Sequence, residues 1–84
     1  MSMLELEIIS PEKIVFSGEV SMVTLPGMTG QFTVLPKHAA LISALKAGDI
    51  IFTTGDGEKT IGIDSGFAEV RNNKISVCVE NVIA

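Results

Sequence analysis

Leu4-Glu5-Leu6-Glu7-Ile8 near the start of the chain and Lys74-Ile75-Ser76-Val77-Cys78-Val79-Glu80 near its end follow the same rule. In both, an aliphatic side chain recurs at every second position. Successive side chains of a strand point to opposite faces, so this alternation turns one face to a core and the other to water. Working inward, residues 20–25, 31–35, 50–54, 59–63 and 67–71 are further short β-prone stretches. Val20 is out of phase with Val23 and Leu25, and a β-bulge near Ser21 and Met22 would restore the register.

Turn-forming residues punctuate these stretches at Ser10-Pro11, Ser17-Gly18, Pro26-Gly27, Gly30, Leu35-Pro36, Gly48-Asp49, Gly55-Asp56-Gly57, Ser65-Gly66 and Asn72-Asn73. Gly55 to Gly57 and Asn72-Asn73 tolerate positive φ and read as hairpin loops. Residues 38–46 are ambiguous, because Leu41, Ile42 and Leu45 have helical spacing. The segment follows a proline, is short, and runs into Ala47-Gly48, and a helix of that length is marginal on its own. It is read as an extended entry and a strand over Leu41–Leu45, with room for one helical turn. The expected fold is all-β: one domain over residues 1–84, a two-sheet β-sandwich or flattened barrel of about ten short strands.

Composition narrows the function. The chain has 84 residues, 46% hydrophobic and 19% charged, with a formal net charge of −4. It is too apolar for disorder. An acidic chain with a single arginine offers no footprint for nucleic acid and no basic face for anionic lipid. The first ten residues carry Glu5 and Glu7 and no basic run, unlike a signal peptide. No apolar run approaches the ~20 residues that span a bilayer. One cysteine, Cys78, forms no internal disulfide. The expectation is a soluble cytoplasmic domain that does not insert into a bilayer.

Residues able to do chemistry are scattered. His38 is the only histidine, and its neighbours Lys37, Ala39 and Ala40 supply neither nucleophile nor carboxylate, so it reads as structural or interfacial. Cys78 lies on the polar phase of its strand and reads as a strand residue rather than a reactive thiol. Pro26-Gly27-Met28-Thr29-Gly30-Gln31 lacks the lysine and the following helix of a phosphate loop and reads as a tight turn. Asp64-Ser65-Gly66 lacks the context of a nucleophile elbow. No catalytic, cofactor or metal site is expected. Of the four methionines, Met1 and Met3 sit at a terminus expected to fray, whereas Met28 occupies a loop tip, where a flexible thioether suits an adaptable contact. Ile51 also falls on an outward phase. Met28 and Ile51 are the candidates for a partner-facing patch.

Phe16-Ser17-Gly18-Glu19-Val20, then Pro26 through Ala39, then Ala44-Leu45-Lys46-Ala47-Gly48 and Asp64-Ser65-Gly66-Phe67-Ala68-Glu69-Val70 form an ordered set. That set resembles the epsilon subunit of F-type ATP synthases from about Leu4 to Val82. The resemblance implies a ten-stranded β-sandwich at the foot of the rotating central stalk, non-catalytic, packed on the gamma subunit and resting on the c-ring. It assigns Met28, Thr29, Gly30 and Gln31 to a c-ring-facing loop, and Pro36, Lys37, His38, Ala39 and Leu41 to a stretch near gamma. It implies a complex peripheral to the bacterial plasma membrane on its cytoplasmic side.

There are departures. Lys37 stands where the family often has glycine or asparagine, which implies either a milder turn or stored strain. Ala40 stands where proline is common, and Gln31 where some members have a carboxylate. Family members continue as a C-terminal helical hairpin that can restrain hydrolysis and in some members binds ATP; if Ala84 is the natural end neither role is expected, and if the sequence is a piece of a longer chain nothing follows about that part. The competing readings are a generic β-sandwich adaptor and a small enzyme. The lack of tryptophan and tyrosine argues against a sugar-stacking module, and the lack of a convergent acid, base and nucleophile argues against the enzyme.

Overall fold

The computed structural model describes residues 3–83; Met1, with the fraying expected of it, Ser2 and Ala84 lie outside the described residues. The alternation read from the sequence becomes nine strands: β1 (Leu4–Ile9), β2 (Ile14–Val20), β3 (Met22–Gly27), β4 (Gly30–Val34), β5 (Leu41–Leu45), β6 (Gly48–Thr54), β7 (Gly57–Ile63), β8 (Gly66–Arg71) and β9 (Lys74–Val79). A bridge between Ile63 and Val82 adds a rudimentary tenth. Residues 38–46 contain no helical turn, and β5 occupies the expected five positions.

The hydrogen-bonded order is β2-β1-β9-β8-β5-β3-β6-β7, with β4 on β3. The ladder is continuous but bends sharply where β5 meets β3, through the single pair Gly27–Leu45. Two layers result: β2-β1-β9-β8-β5, and β4-β3-β6-β7. Every strand pair is antiparallel except β1 with β9, the first and last strands, which run parallel in the middle of the first layer.

The inward residues of both layers make one core. Leu4, Leu6 and Ile8, Ile75, Val77 and Val79, Ala68 and Val70, and Leu45 face Val23 and Leu25, Val34, Ile50 and Phe52, and Ile63. Phe16 tilts against Phe52 with ring centroids 4.5 Å apart, closing one corner. Among the described residues no polar or charged residue is buried, so no desolvated charge works against packing.

Both hairpins read from sequence are present. Gly55-Asp56 links Thr54 to Gly57, and Asn72 and Asn73, with φ of 52° and 62°, link Arg71 to Lys74 as a type I′ turn requires.

Three expectations need correction. Ser17-Gly18 is no turn: both lie inside β2, paired with Glu7 and Leu6, and a Cβ on Gly18 would press on the Phe16 ring at 3.2 Å. Gly48-Asp49 is likewise inside β6, and the turn is Lys46-Ala47; a Cβ on Gly48 would approach Pro26 to 2.8 Å. Third, the phase break at Val20 is not a bulge. The chain leaves one layer for the other at Ser21, whose N–H donates to the Thr53 carbonyl at 2.9 Å, so Val20 and Val23 are both buried but in different layers. The register shift of the structure lies instead between Ile8 and Ile9, opposite β2.

Gly66 opens β8 between β5 and β9, paired with Leu45 and Val79. A Cβ there would lie 2.3 Å from the Cys78 carbonyl oxygen and 3.1 Å from the Val79 Cα. Backbone must therefore move to admit alanine. Gly66→Ala is expected to cost about 2 kcal/mol, lowering Tm by on the order of 10 °C in a domain this small, as read by thermal unfolding.

The chain after β9 returns to the second layer and is clasped there. Asn81 donates its backbone N–H to Asp64 Oδ1 at 3.0 Å and its side-chain amide to Oδ2 at 2.8 Å, and Ile83 N–H donates to the Gly62 carbonyl at 2.8 Å. The Asn81 side-chain bond, helped by backbone N–H donors, holds the Asp64 carboxyl below its ordinary value of 3.8. A depressed carboxyl contributes stability above its unfolded pKa and loses it as pH falls through the folded one. The Asn81 amide chemical shift should therefore titrate with a midpoint below pH 3.8, and Asp64→Ala should abolish that titration.

Candidate interaction surfaces

The loop of Met28 and Thr29 is a two-residue hairpin between β3 and β4, closed by the Gly27–Gly30 pair. Its strands approach too closely for a side chain at residue 27, where a Cβ would lie 2.7 Å from the Gly30 carbonyl, and Gly30 adopts a φ of 143°. Met28, Thr29, Gly30 and Gln31 are all exposed, Met28 to 59%. The Met28 N–H donates to the Ala44 carbonyl at 3.0 Å, and Lys46 N–H to the Pro26 carbonyl at 2.9 Å. The hairpin is thereby fixed to the end of β5.

Pro36, Lys37, His38, Ala39 and Ala40 lie at the opposite end of β5. The His38 N–H donates to the Leu35 carbonyl at 3.1 Å, with Pro36 and Lys37 between them. Lys37 has a φ of 71°, so the turn is type II, with proline at its preferred place and a side chain at the position that favours glycine. Of the two alternatives read from sequence, stored strain is therefore correct, on the order of 1 kcal/mol. His38 is half-buried, and its Nδ1 lies 2.7 Å from the Ala39 carbonyl. Leu41 packs against the core.

The two loops are thus separate, about 15 Å apart by strand rise, and outward-facing residues of β5 lie between them. Ile42 is 77% exposed, and Phe67, on the neighbouring β8, is 63% exposed.

Strand register shows what surrounds Ile42 and Phe67. Across the outer face of the first layer run three rows. Glu19, Glu5, Lys74 and Arg71 form the first, at the Asn73 end. Ser17, Glu7, Ser76, Glu69 and Ile42 form the second. Ile9, Cys78, Phe67 and Ala44 form the third, at the Met28 end. The face therefore grades from charged to apolar along the strands. Beyond Ile9 the stripe continues to Ile14, itself 62% exposed. An open groove lined by Ile9, Pro11, Ala44, Phe67 and Cys78 follows it.

Of the two outward residues read from sequence, Met28 stands clear of the surface while Ile51 is half-buried beside Thr24 and Thr60. Ile9, Ile42 and Phe67 were missed. The signal existed: the Asn72-Asn73 turn sets Phe67 opposite Cys78, both on the outward phase.

Comparison with known proteins agrees with this architecture. Residues 3–84 match the family model described as ATP synthase, Delta/Epsilon chain, beta-sandwich domain. The ATP synthase epsilon chain of a Sulfurovum species is 41% identical over 85 residues, covering 100% of this chain and 66% of the relative. That of a Nitratiruptor species is 45% identical over 84 residues, covering 99% and 65%. The chain thus spans just under two thirds of the length of these relatives. Among solved structures, a chain in the Euglena gracilis mitochondrial ATP synthase (OSCP/F1/c-ring) superposes with a TM-score of 0.90 at 17% identity, over 99% of this chain and 54% of that one. A chain in the Tetrahymena thermophila mitochondrial ATP synthase central stalk and c-ring gives 0.80 at 15% identity, over 95% and 65%. At such identities these two show the fold alone. With the family model matched from residue 3 to residue 84, the chain belongs to the β-sandwich domain family of ATP synthase delta and epsilon chains.

Proposed function

We propose that this domain is a non-catalytic part of the rotating central stalk of an F-type ATP synthase, transmitting rotation between the c-ring and the gamma shaft. Family membership supports the setting, and the apolar stripe carries the argument within it. Ile9, Cys78, Phe67 and Ala44, with Ile42 beside them, expose contiguous apolar side chains on a face whose other positions are polar or charged, among them Glu5, Glu7, Glu19, Glu69, Lys74 and Arg71. Such a patch marks a surface buried against another protein. In this reading the gamma subunit covers it, extending over Pro36, Lys37, His38, Ala39 and Leu41.

The exposed hairpin of Met28, Thr29, Gly30 and Gln31 meets the polar loops of the c-ring. Because the Met28 N–H donates to the carbonyl of Ala44, a member of the stripe, a torque on the hairpin passes directly into β5. A close-packed two-layer core resists shear between the two contacts. In this reading the domain sits at the membrane, on its cytoplasmic side, through its partners; no helix among the described residues is long and apolar enough to cross a membrane. A generic adaptor would need the stripe but not the hairpin, and that difference separates the two readings.

Co-expression with the gamma subunit of the same organism, followed by size-exclusion chromatography with light scattering, is expected to give a complex with one copy of each. Phe67→Asp should weaken that complex at least tenfold, as loss of a central aromatic contact does, without lowering Tm appreciably. Two separate folded peaks for the unmodified pair would return the adaptor reading to the front. Met28→Asp should leave the gamma complex intact and weaken association with the c-ring in the assembled enzyme; unchanged ring association would remove Met28 from that contact.

A further inference from the structure

Type I and type II turns place the same four residues but differ by a flip of the central peptide. In the turn from Leu35 to His38 that peptide joins Pro36 to Lys37, and its N–H belongs to Lys37. The N–H does not point into the turn, where His38 N–H already occupies the Leu35 carbonyl. It donates instead to Asn73 Oδ1, at 2.6 Å, across 36 positions of sequence. Asn73 is itself held firmly. It occupies the β8–β9 hairpin with φ 62°, and its carbonyl accepts the Glu5 N–H at 2.9 Å. The acceptor is therefore anchored on two strands of the first layer, and the peptide that it grips is the one whose orientation defines the turn.

We infer that Asn73 is the positioning residue of the 36–41 segment: its side-chain oxygen holds the Pro36–Lys37 peptide in the type II orientation and so sets how His38, Ala39 and Leu41 are presented to a partner. Lys37 makes this necessary. Glycine adopts positive φ without steric cost, but a lysine there needs an outside contact to hold the left-handed conformation against the type I alternative. Asparagine also suits its own site, since it tolerates the positive φ of its hairpin while offering a short, rigid acceptor. The inference rests on the proposed partner-facing role of residues 36–41 only for its last step, presentation.

The test is Asn73→Gly, which keeps the hairpin conformation and removes only the acceptor. Amide exchange at Lys37 should quicken by roughly tenfold, the loss of one hydrogen bond, while Arg71 and Lys74 amides stay unchanged. Dissociation from co-expressed gamma should quicken several-fold. Adding Lys37→Gly should restore the slow dissociation, because the turn then needs no outside hold. Asn73→Asp, which keeps an acceptor, should behave like the unmodified chain. Unchanged Lys37 exchange, or equal quickening throughout the hairpin, overturns the positioning role. Faster Lys37 exchange with unaltered dissociation overturns presentation. If the unmodified chain forms no gamma complex, the rotor reading fails, and Lys37 exchange, quickened in Asn73→Gly and slow in Asn73→Asp, still decides the positioning role.

Discussion

The parallel pairing of β1 with β9 is the constraint on which the other contacts depend. It joins Leu6 to Ile75 and Ile8 to Val77, across nearly the whole chain, at the centre of one layer. The other strands hang from this pair: β2 on β1, β8 on β9, β5 on β8, and the second layer through the sharp joint at Gly27 and Leu45. Parallel strands cannot be joined by a hairpin, so the connection between them has to be long, and here it is the rest of the sandwich. The resulting contacts are non-local, a topology that folds slowly for its size. The clasp of Asn81 on Asp64 follows from the same pairing, since a chain leaving β9 in mid-sheet has to be carried to an edge.

Because the core draws on one side of every strand, the other side is free to differ, and the two outer faces do. The second layer shows water a cross-strand Thr24–Thr33 hydroxyl contact and the polar strand of Glu58, Lys59 and Thr60, as strands with a solvated face do. The first layer instead changes character along its strands, from the Glu19, Glu5, Lys74, Arg71 row to the Ile9, Cys78, Phe67, Ala44 row. Each residue of the apolar row is ordinary alone, since isolated exposed hydrophobics are common. Registered side by side, they form a surface with a direction. In the proposed stalk, that direction runs toward the Met28 hairpin, so the apolar contact and the loop contact meet at one end of β5.

Period two made most strands legible, and the paired asparagines and the Gly55 to Gly57 run made two hairpins legible, because those signals are local. What escaped is non-local. β2 escaped because its burial does not alternate cleanly where Phe16 crosses Gly18 and the strand curls toward Phe52. Ser21 escaped because a chain changing layers and a strand with a bulge produce the same break of phase at Val20. The apolar stripe escaped because its members come from four strands, and only the register of three strand pairs brings them into a row. Met28 was visible in sequence for the opposite reason: a large apolar residue in a glycine-flanked turn has no core to enter.

Lys37 shows how a departure from a family pattern becomes interpretable only in three dimensions. In sequence it is an awkward residue where glycine or asparagine is common, and nothing near it in the chain offers relief. In the structure the relief comes from Asn73, a residue whose own hairpin already requires positive φ and therefore already favours asparagine. One side chain then serves two left-handed turns, tolerating the conformation of the first and fixing the peptide of the second. The strain at Lys37 is local, but the means of holding it is built on the β8–β9 hairpin, and so on the same central strand, β9, that organises the fold.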